Sequence, residues 1–160
     1  MAMSAQEIAN RIPFLDGDKY GYANSNGEVV IEAMYDIADP FNDGAAKVMK
    51  NKFYGLIDEN GSIMVRLGLE AMGEWSEGII KYAYNEKYGY YDTRGNRIIT
   101  AQYTLCSEFH EGKAYVNISR MFGYIDKEGS LVVPMRYIEA YLFNDGMAKI
   151  GQKNRYGFIN

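Results

Sequence analysis

The 160-residue chain has very few of the residues that build disulfide and metal sites, with one cysteine and one histidine. Because Cys106 has no second cysteine to pair with, an intrachain disulfide framework is excluded. With His110 as the single histidine, a zinc site made of several cysteine and histidine ligands is excluded within one chain. We therefore expect neither a bound metal nor another cofactor.

The chain also lacks an excess of basic residues and any long apolar run. Its 17 Lys and Arg against 21 Asp and Glu give a net charge of -4 and a pI near 5.1, which argues against nucleic-acid binding by electrostatics. No apolar stretch reaches the roughly 18 residues needed to span a bilayer. The first residues lack the basic start and apolar core of a signal peptide. We expect no membrane partner and a cytoplasmic location.

Aromatic residues are abundant, with 15 Tyr, 7 Phe and 1 Trp. Such residues favour strands, so the composition predicts a β-protein.

An aromatic residue followed by glycine recurs along the chain, and each such glycine lies 34 residues after the one before it, as Gly55 does after Gly21. The pairs are Tyr20-Gly21, Tyr54-Gly55, Tyr88-Gly89, Phe122-Gly123 and Tyr156-Gly157. Two further series keep this spacing: a second glycine, and an aromatic-x-acid-glycine motif such as residues 41–44. Three series in one register indicate a tandem repeat.

The sequence of each repeat predicts short strands separated by turns. In one copy, residues 44–49 alternate small or apolar with polar residues and predict a strand, and Phe53–Asp58 predict a second. Residues 58–61 predict a tight turn, since Asn-Gly supports positive φ. A third strand is predicted at residues 63–65. A weaker fourth segment runs to the next aromatic-acid-glycine motif, as in residues 103–109.

Glycine weakens strands, so the glycine inside the second predicted strand needs a reason. We predict that an aromatic ring or a neighbouring backbone packs closely over its bare Cα. The aromatics Phe41, Trp75, Phe109 and Phe143 are predicted to fill the space between adjacent repeats. A 34-residue repeat cannot offset its own ordering entropy, so stacking of neighbours stabilises the fold.

The ends differ from the interior of the array. Residues 1–13 are predicted to be a capping segment with a short helix over residues 4–11, where Ser4 and Glu7 have capping-box spacing. Residues 14–160 form the repeat domain. The last copy stops after its second predicted strand, so the fifth unit is split. We expect an all-β fold of about five units in a propeller-like ring; the alternatives are an open β-solenoid-like stack and a fragment of a longer array.

The repeat resembles the WG-repeat family, also called KWG repeats, of bacterial proteins. Phe122-Gly123-Tyr124-Ile125-Asp126 with Gly129 carries the first half of the pattern, and residues 109–116 carry the second. The resemblance covers residues 18–160, although the tryptophan of the Trp-Gly pair is always Tyr or Phe here. It implies propeller-like or otherwise stacked β-architecture. Because the family carries no general catalytic motif, it also implies binding or scaffolding.

Two sets of acidic residues recur once per repeat. Calcium binding is one interpretation of the aspartates at the start of the Asp-x-x-Gly turn. The other, which we predict, is that their side chains open the turn. The same turn role is predicted for the acids of the aromatic-x-acid-glycine motif. The two sets are Asp58, Asp92 and Asp126, and Asp43, Glu77, Glu111 and Asp145.

Cys106 and His110 raise the question of a thiol nucleophile with a base. Cys106, however, takes the repeat position of Ala38 and Ala140, and His110 takes a variable position. We predict a buried inert thiol, an exposed histidine and no enzymatic activity.

Tyrosines concentrate in one stretch of the chain, where Tyr82 and Tyr84 of the second copy and Tyr91 of the third replace smaller or polar residues of other copies. They indicate either a locally larger core or an aromatic face that binds a peptide or a sugar. We expect a non-catalytic protein–protein interaction or scaffolding module with a protein partner. The alternative is a carbohydrate-type ligand bound in repeated pockets between units.

Overall fold

The computed structural model describes residues 11–153 and 155–160, and this part of the chain consists of β-strands and connecting turns. It holds eighteen strands in five antiparallel sheets. The first sheet contains β1 (Ile12–Asp16), β2 (Lys19–Ala23) and β3 (Val29–Tyr35). The second contains β4 (Ile37–Ala38), β5 (Ala45–Lys50), β6 (Phe53–Asp58) and β7 (Ile63–Leu69). The third contains β8 (Ala71–Ser76), β9 (Ile79–Tyr84), β10 (Lys87–Asp92) and β11 (Arg97–Tyr103). The fourth contains β12 (Leu105–Cys106), β13 (Lys113–Ile118), β14 (Met121–Asp126) and β15 (Leu131–Tyr137), and the fifth β16 (Glu139–Asn144), β17 (Met147–Gln152) and β18 (Arg155–Ile159).

In every sheet, strands that follow each other along the chain are hydrogen-bonded neighbours. The three complete sheets have four strands each. The first sheet has counterparts of the last three strands of this set, and the fifth has counterparts of the first three. The predicted all-β tandem repeat of three to four antiparallel strands is therefore confirmed. A propeller-like ring and an open stack would both contain sheets with this strand order.

The chain divides into two compact units. The first comprises Met1–Met72 and Thr93–Gly95, and the second comprises Gly73–Asp92 and Asn96–Asn160. Apolar side chains of neighbouring sheets form the cores inside each unit. In the first unit the core includes Tyr22, Ile31 and Val48.

The predicted strands are mostly confirmed. Phe53–Asp58 forms β6 with the predicted limits, whereas the strand predicted at residues 63–65 extends to Leu69 in β7. The weak segment is two residues long in β12 but six in β16. Residues 4–10, which carry most of the predicted capping helix, lie outside the described residues; β1 begins at Ile12.

In the three four-stranded sheets, the hairpin between the second and third strands closes with two consecutive residues of positive φ, the geometry of a type I′ turn. In the second sheet these are Asn51 (φ 54°) and Lys52 (φ 70°), and in the fourth Ser119 (φ 52°) and Arg120 (φ 66°). Neither pair contains glycine, which this turn favours. Each turn therefore holds its backbone in a conformation that costs free energy for an L-residue.

The strand glycine lies beneath the fourth strand of its sheet. A Cβ added at Gly55 would lie 2.6 Å from the carbonyl oxygen of Val65 and 3.0 Å from the nitrogen of Leu67. The register between β6 and β7 shifts at this point, because the fourth strand bulges toward the bare Cα. The predicted close approach over the glycine is confirmed.

Candidate functional site

A tyrosine on the third strand of a repeat, or on its counterpart β2 in the first sheet, contacts the next sheet at three places, one in the first compact unit and two in the second. Its ring lies edge-on against the aromatic of the aromatic-x-acid-glycine motif, at centroid distances of 4.9, 5.0 and 5.1 Å. The pairs are Tyr22 with Phe41, Tyr90 with Phe109, and Tyr124 with Phe143. The predicted filling of inter-sheet space by these aromatics is therefore confirmed for three of the four copies.

The same tyrosines also hydrogen-bond across the sheet boundary. Their hydroxyls donate to backbone carbonyls 17 residues further on, at 2.6 to 2.7 Å. The acceptors are Asp39 for Tyr22, Ser107 for Tyr90 and Tyr141 for Tyr124. Burial raises the pKa of Tyr124 to about 12 and also raises that of Tyr90. The phenols therefore stay protonated and keep their hydrogen bonds at neutral pH.

The fifth copy departs from this pattern. Tyr22, Leu56, Tyr90 and Tyr124 occupy the central position of their third strands and are all 0% exposed. At the same repeat position, Phe158 on β18 is 70% exposed. Strand alternation places the exposed Tyr156 on the same face of β18 as Phe158.

We call this surface of the fifth sheet the terminal face and define it by Tyr141, Met147, Lys149, Tyr156 and Phe158. Met147 and Lys149 are two residues apart on β17, so their side chains lie on the same face of the sheet. Lys149 is directly opposite Phe158 in the pairing of β17 with β18. Met147 is 51% exposed and Tyr141 45%. The terminal face is therefore a largely apolar surface on β16–β18, of which β17 and β18 pair without a register shift.

One ammonium group lies within the terminal face, and one carboxylate borders it. The Lys149 ammonium lies 4.1 Å from the ring centroid of Tyr156 and 5.2 Å from that of Tyr141. The hydroxyls of Tyr141 and Tyr156 donate to Glu139 at 3.2 and 3.3 Å, and the nearby carboxylate raises the pKa of both tyrosines. Apolar surface beside a polar border is the usual anatomy of a protein interface.

The tyrosines predicted as a binding face occupy different environments. Tyr82 is 3% exposed; its hydroxyl accepts from the Ala101 nitrogen at 3.0 Å, and its ring centroid lies 4.5 Å from that of Tyr91. Burial raises the pKa of Tyr82. Tyr91 is half-buried and Tyr84 is 49% exposed. A binding role for the three stays a prediction that depends on the accessible surface of Tyr84 and Tyr91.

The repeated aspartates have the predicted turn role. Oδ1 of Asp58 accepts from the backbone nitrogens of Asn60 and Ser62 at 2.9 and 2.8 Å. Asp92 accepts from Asn96 in the same way, and Asp126 from Ser130. These oxygens therefore cap the turn that leads into the fourth strand.

The acids of the aromatic-x-acid-glycine motif also lie in turns, where Glu77 and Glu111 have φ of 53° and 51°. Sequence reasoning missed their second role. Oε2 of Glu77 accepts from the nitrogen of Gly112 at 3.0 Å, and Oε2 of Glu111 accepts from that of Gly146 at 2.9 Å. Each acid therefore joins its own turn to the equivalent turn of the next sheet. The 34-residue spacing was the one clue to these contacts.

Cys106 is 6% exposed, and burial raises the pKa of its thiol to about 11. The thiol is therefore protonated at neutral pH, whereas the nucleophile would be the thiolate. His110 is exposed in a turn, where its backbone hydrogen-bonds with Lys113. Across residues 11–160, with Asn154 left aside, no group of three or more His, Cys, Asp or Glu is placed to hold a metal. The same residues contain no helix of the length and apolarity that a membrane span requires.

A surface cleft of about 470 Å³ lies in the second unit. Its lining includes Leu105, Asn117, Arg120 and Phe122. The amide oxygen of Asn117 already accepts from the hydroxyl of Thr104 at 2.7 Å. Arg120 therefore supplies the charged group of this cleft.

Comparison with known proteins identifies the repeat. The family model of the WG containing repeat matches residues 20–52, 54–88, 88–119 and 122–156. No curated protein matches the sequence. Among solved structures, the chain is similar to one described as the crystal structure of the eukaryotic initiation factor, with 10% identity and a TM-score of 0.49. That alignment covers 92% of this chain but 47% of the other, so the chain spans about half its length. The four family matches together cover most of the sequence, and the chain belongs to the family of WG-containing repeat proteins.

Proposed function

We propose that the chain is a non-catalytic protein–protein interaction or scaffolding module that docks its partner on the terminal face. The observation that carries this proposal is the 70% exposure of Phe158 at a position that is fully buried in four other copies. Burying such a side chain contributes about 1.5–3 kcal/mol. Large exposed apolar patches mark interaction sites, and buried aromatics are common anchors of interfaces.

The surroundings of Phe158 support a macromolecular partner. Tyr156 and Met147 extend the apolar surface, while Lys149 and Glu139 border it with opposite charges. Because Met147, Lys149, Tyr156 and Phe158 lie on β17 and β18, which pair without a register shift, little ordering entropy is lost on binding. The protonated, buried thiol of Cys106 supports a function without nucleophilic catalysis.

The test compares two exposed phenylalanines. Phe158→Asp removes the proposed anchor, and Phe53→Asp, on the 48% exposed Phe53 of β6, is the matched control. The tagged chain and both variants are used to capture proteins from a cognate lysate. A protein retained by the wild type and Phe53→Asp but lost with Phe158→Asp supports the proposal. Equal retention by all three folded forms contradicts it.

A carbohydrate-type ligand is the second candidate, and the cleft beside Arg120 is the observation that favours it. Its volume lies within the range of small-molecule sites. Lys52 and Glu86 replace Arg120 in other copies, so repeated clefts would differ in charge and affinity. Titration calorimetry against a glycan panel separates the candidates: sugar binding that Arg120→Ala abolishes supports the ligand function. Absence of binding heat with every sugar of the panel contradicts the ligand function.

A further inference from the structure

A carboxylate of the chain itself binds the type I′ turn of the second sheet. Oδ2 of Asp36 accepts a hydrogen bond from the nitrogen of Asn51 at 2.7 Å, and Oδ1 accepts from the ammonium of Lys19 on β2. Hydrogen bonds from Lys19 and from the nitrogens of Asn51 and Lys52 hold the pKa of Asp36 below its ordinary value. The turn and the lysine together therefore form a binding site for a carboxylate.

The fourth sheet repeats this turn, but a threonine takes the place of the acid. The backbone is nearly the same, with φ of 52° at Ser119 and 66° at Arg120 against 54° and 70° in the second sheet. The nitrogen of Thr104 donates to the carbonyl of Asn117 at 2.9 Å, and that of Asp36 donates to the equivalent carbonyl at 2.7 Å. Among the described residues, no acceptor binds the nitrogens of Ser119 and Arg120. The turn therefore keeps the donors but has no carboxylate from the described chain.

The lysine of this arrangement is also present. Lys87 on β10 takes the repeat position of Lys19. It precedes the residue that pairs with the neighbour of Thr104, just as Lys19 precedes the residue that pairs with the neighbour of Asp36. Within the part of the chain that the structure describes, no acid forms an ion pair with Lys87. The same register therefore places a lysine without a counter-ion beside Thr104.

The cleft of about 470 Å³ lies at this turn, since Thr104, Ser119 and Arg120 are among its lining residues. Asn117 also lines the cleft and is 6% exposed. Its amide oxygen accepts from Thr104, but its amide nitrogen has no acceptor among the described residues. Side chains as buried as this one are normally hydrogen-bonded, so the unused donor indicates a ligand oxygen in the cleft.

The remaining walls of the cleft are apolar. Leu105 and Ile138 line it and are 45% and 43% exposed, and Phe122 is partly buried. The volume lies in the range of small-molecule sites, which combine apolar walls with a few polar groups. A fitting ligand therefore carries an apolar group close to its carboxylate.

We propose that this cleft binds the carboxylate of an external ligand that also carries an apolar group. The carboxylate accepts from the turn nitrogens of Ser119 and Arg120, as Asp36 accepts from the turn of the second sheet. Lys87 and the guanidinium of Arg120 supply positive charge, and hydrogen bonds to charged groups are the strong ones. None of these residues belongs to the terminal face, so the inference goes beyond docking there. It also gives the cleft a charged ligand in place of a neutral sugar.

The probes are N-acetyl-leucine and N-acetyl-leucinamide, which differ in the carboxylate alone. Each is titrated into the isotope-labelled chain and followed by nuclear magnetic resonance. We expect saturable shifts of the backbone amides of Ser119 and Arg120 and of the side-chain amide of Asn117 with the acid, and at least tenfold weaker binding of the amide. Equal binding of the two probes, or no saturable shift, overturns the inference.

The carboxylate can come from a small acid or from the C-terminus of a peptide chain. A tetrapeptide that ends in leucine, with a free or an amidated C-terminus, distinguishes these sources. Tighter binding of the free peptide than of N-acetyl-leucine assigns the ligand to chain termini, and weaker binding assigns it to small acids; both support the inference. Neutral sugars that shift the same amides while the acids do not would overturn it.

Thr104→Asp tests the site from the protein side, because it supplies a carboxylate at the place of Asp36. It should lower the affinity for N-acetyl-leucine at least tenfold without lowering the melting temperature. Arg120→Gln and Lys87→Gln each remove one positive charge and should also weaken binding. Lys52→Gln changes the equivalent turn of the second sheet, which Asp36 already fills, and as the matched control should bind like the wild type.

Unchanged affinity of Thr104→Asp, or of both charge variants, overturns the inference. Equal weakening by Lys52→Gln and Arg120→Gln also overturns it, because the effect would then reflect total charge. Phe158→Asp should bind N-acetyl-leucine as the wild type does. Loss of a captured protein with Phe158→Asp and loss of acid binding with Thr104→Asp are therefore separate results, and either proposal can fail without the other.

Discussion

Replacing Gly89 with valine is expected to destabilise the protein severely. A Cβ at residue 89 would collide with the carbonyl oxygen of Ile99 and would lie 2.8 Å from both the Ala101 nitrogen and a ring carbon of Tyr82. Two of these contacts are backbone atoms of β11, which cannot retreat without breaking its pairing with β10. Tyr82 cannot yield freely, because its hydroxyl binds the Ala101 nitrogen.

The magnitude follows from these contacts. Overpacking a tight site costs about 1–3 kcal/mol. Losing two ladder hydrogen bonds adds about 1 kcal/mol each. The expected loss is about 3–5 kcal/mol, a large part of the 5–15 kcal/mol that typically stabilises a domain.

Urea denaturation, followed by circular dichroism and by the fluorescence of the single tryptophan, Trp75, measures the loss. Gly157→Val is the matched control, because it places the same side chain at the same repeat position without a covering strand. We expect its free energy of unfolding to change by less than about 0.5 kcal/mol, as for His110→Ala on the surface. Equal destabilisation by the two glycine variants would show that the covering strand is not the cause.

Three further predictions concern pH and turns. Burial raises the pKa values of Tyr90 and Tyr124 above the ordinary 10.0. The contribution of each buried, protonated phenol to the free energy of unfolding is therefore complete below pH 10. Above pH 10 this contribution declines by about 1.4 kcal/mol per pH unit for each tyrosine. Tyr124→Phe should make the decline of the urea midpoint between pH 10 and 12 shallower; an unchanged slope would refute this. Burial alone would raise the pKa of Glu77, but hydrogen bonds from Lys127 and the Gly112 nitrogen hold it below its ordinary 4.5. The ionised carboxylate therefore stabilises the folded protein, and this contribution to the free energy of unfolding is lost as the pH falls below about 4.5. Glu77→Gln should lower stability at pH 7 by about 0.5 kcal/mol, a modest amount because Glu77 is partly exposed, and should weaken the acid dependence of thermal melts. Lys52→Gly should raise the free energy of unfolding by about 0.5–1 kcal/mol, because it relieves a positive φ in the turn, and a lower urea midpoint would contradict this.

Local chemistry that recurs every 34 residues could be read from the sequence. Glycine inside a strand predicted a close backbone approach, which Gly55 and Gly123 have. An aspartate three residues before a glycine predicted a capped turn, which Asp58 forms. These predictions succeeded because each effect acts over a few residues or is enforced by an absent side chain.

Some features of the fold had no readable local pattern. Asn51 and Lys52 adopt positive φ although neither is glycine, because pairing of the flanking strands imposes the type I′ turn. Glu77 binds the nitrogen of Gly112, 35 residues away, in addition to opening its own turn. The spacing indicated a repeat but could not show how far each acid reaches.

By itself the sequence determined the repeat period, the β-class, the strand glycines and the turn acids, since these follow from side-chain size, backbone freedom and short-range hydrogen bonding. Only the tertiary structure decided that Tyr124 is buried while Phe158, an aromatic at the same repeat position, is 70% exposed. The physical reason is that burial depends on which strands and sheets lie beside a residue. Tyr124 has a paired fourth strand and a following sheet against it, whereas β18 has an open edge in the described chain.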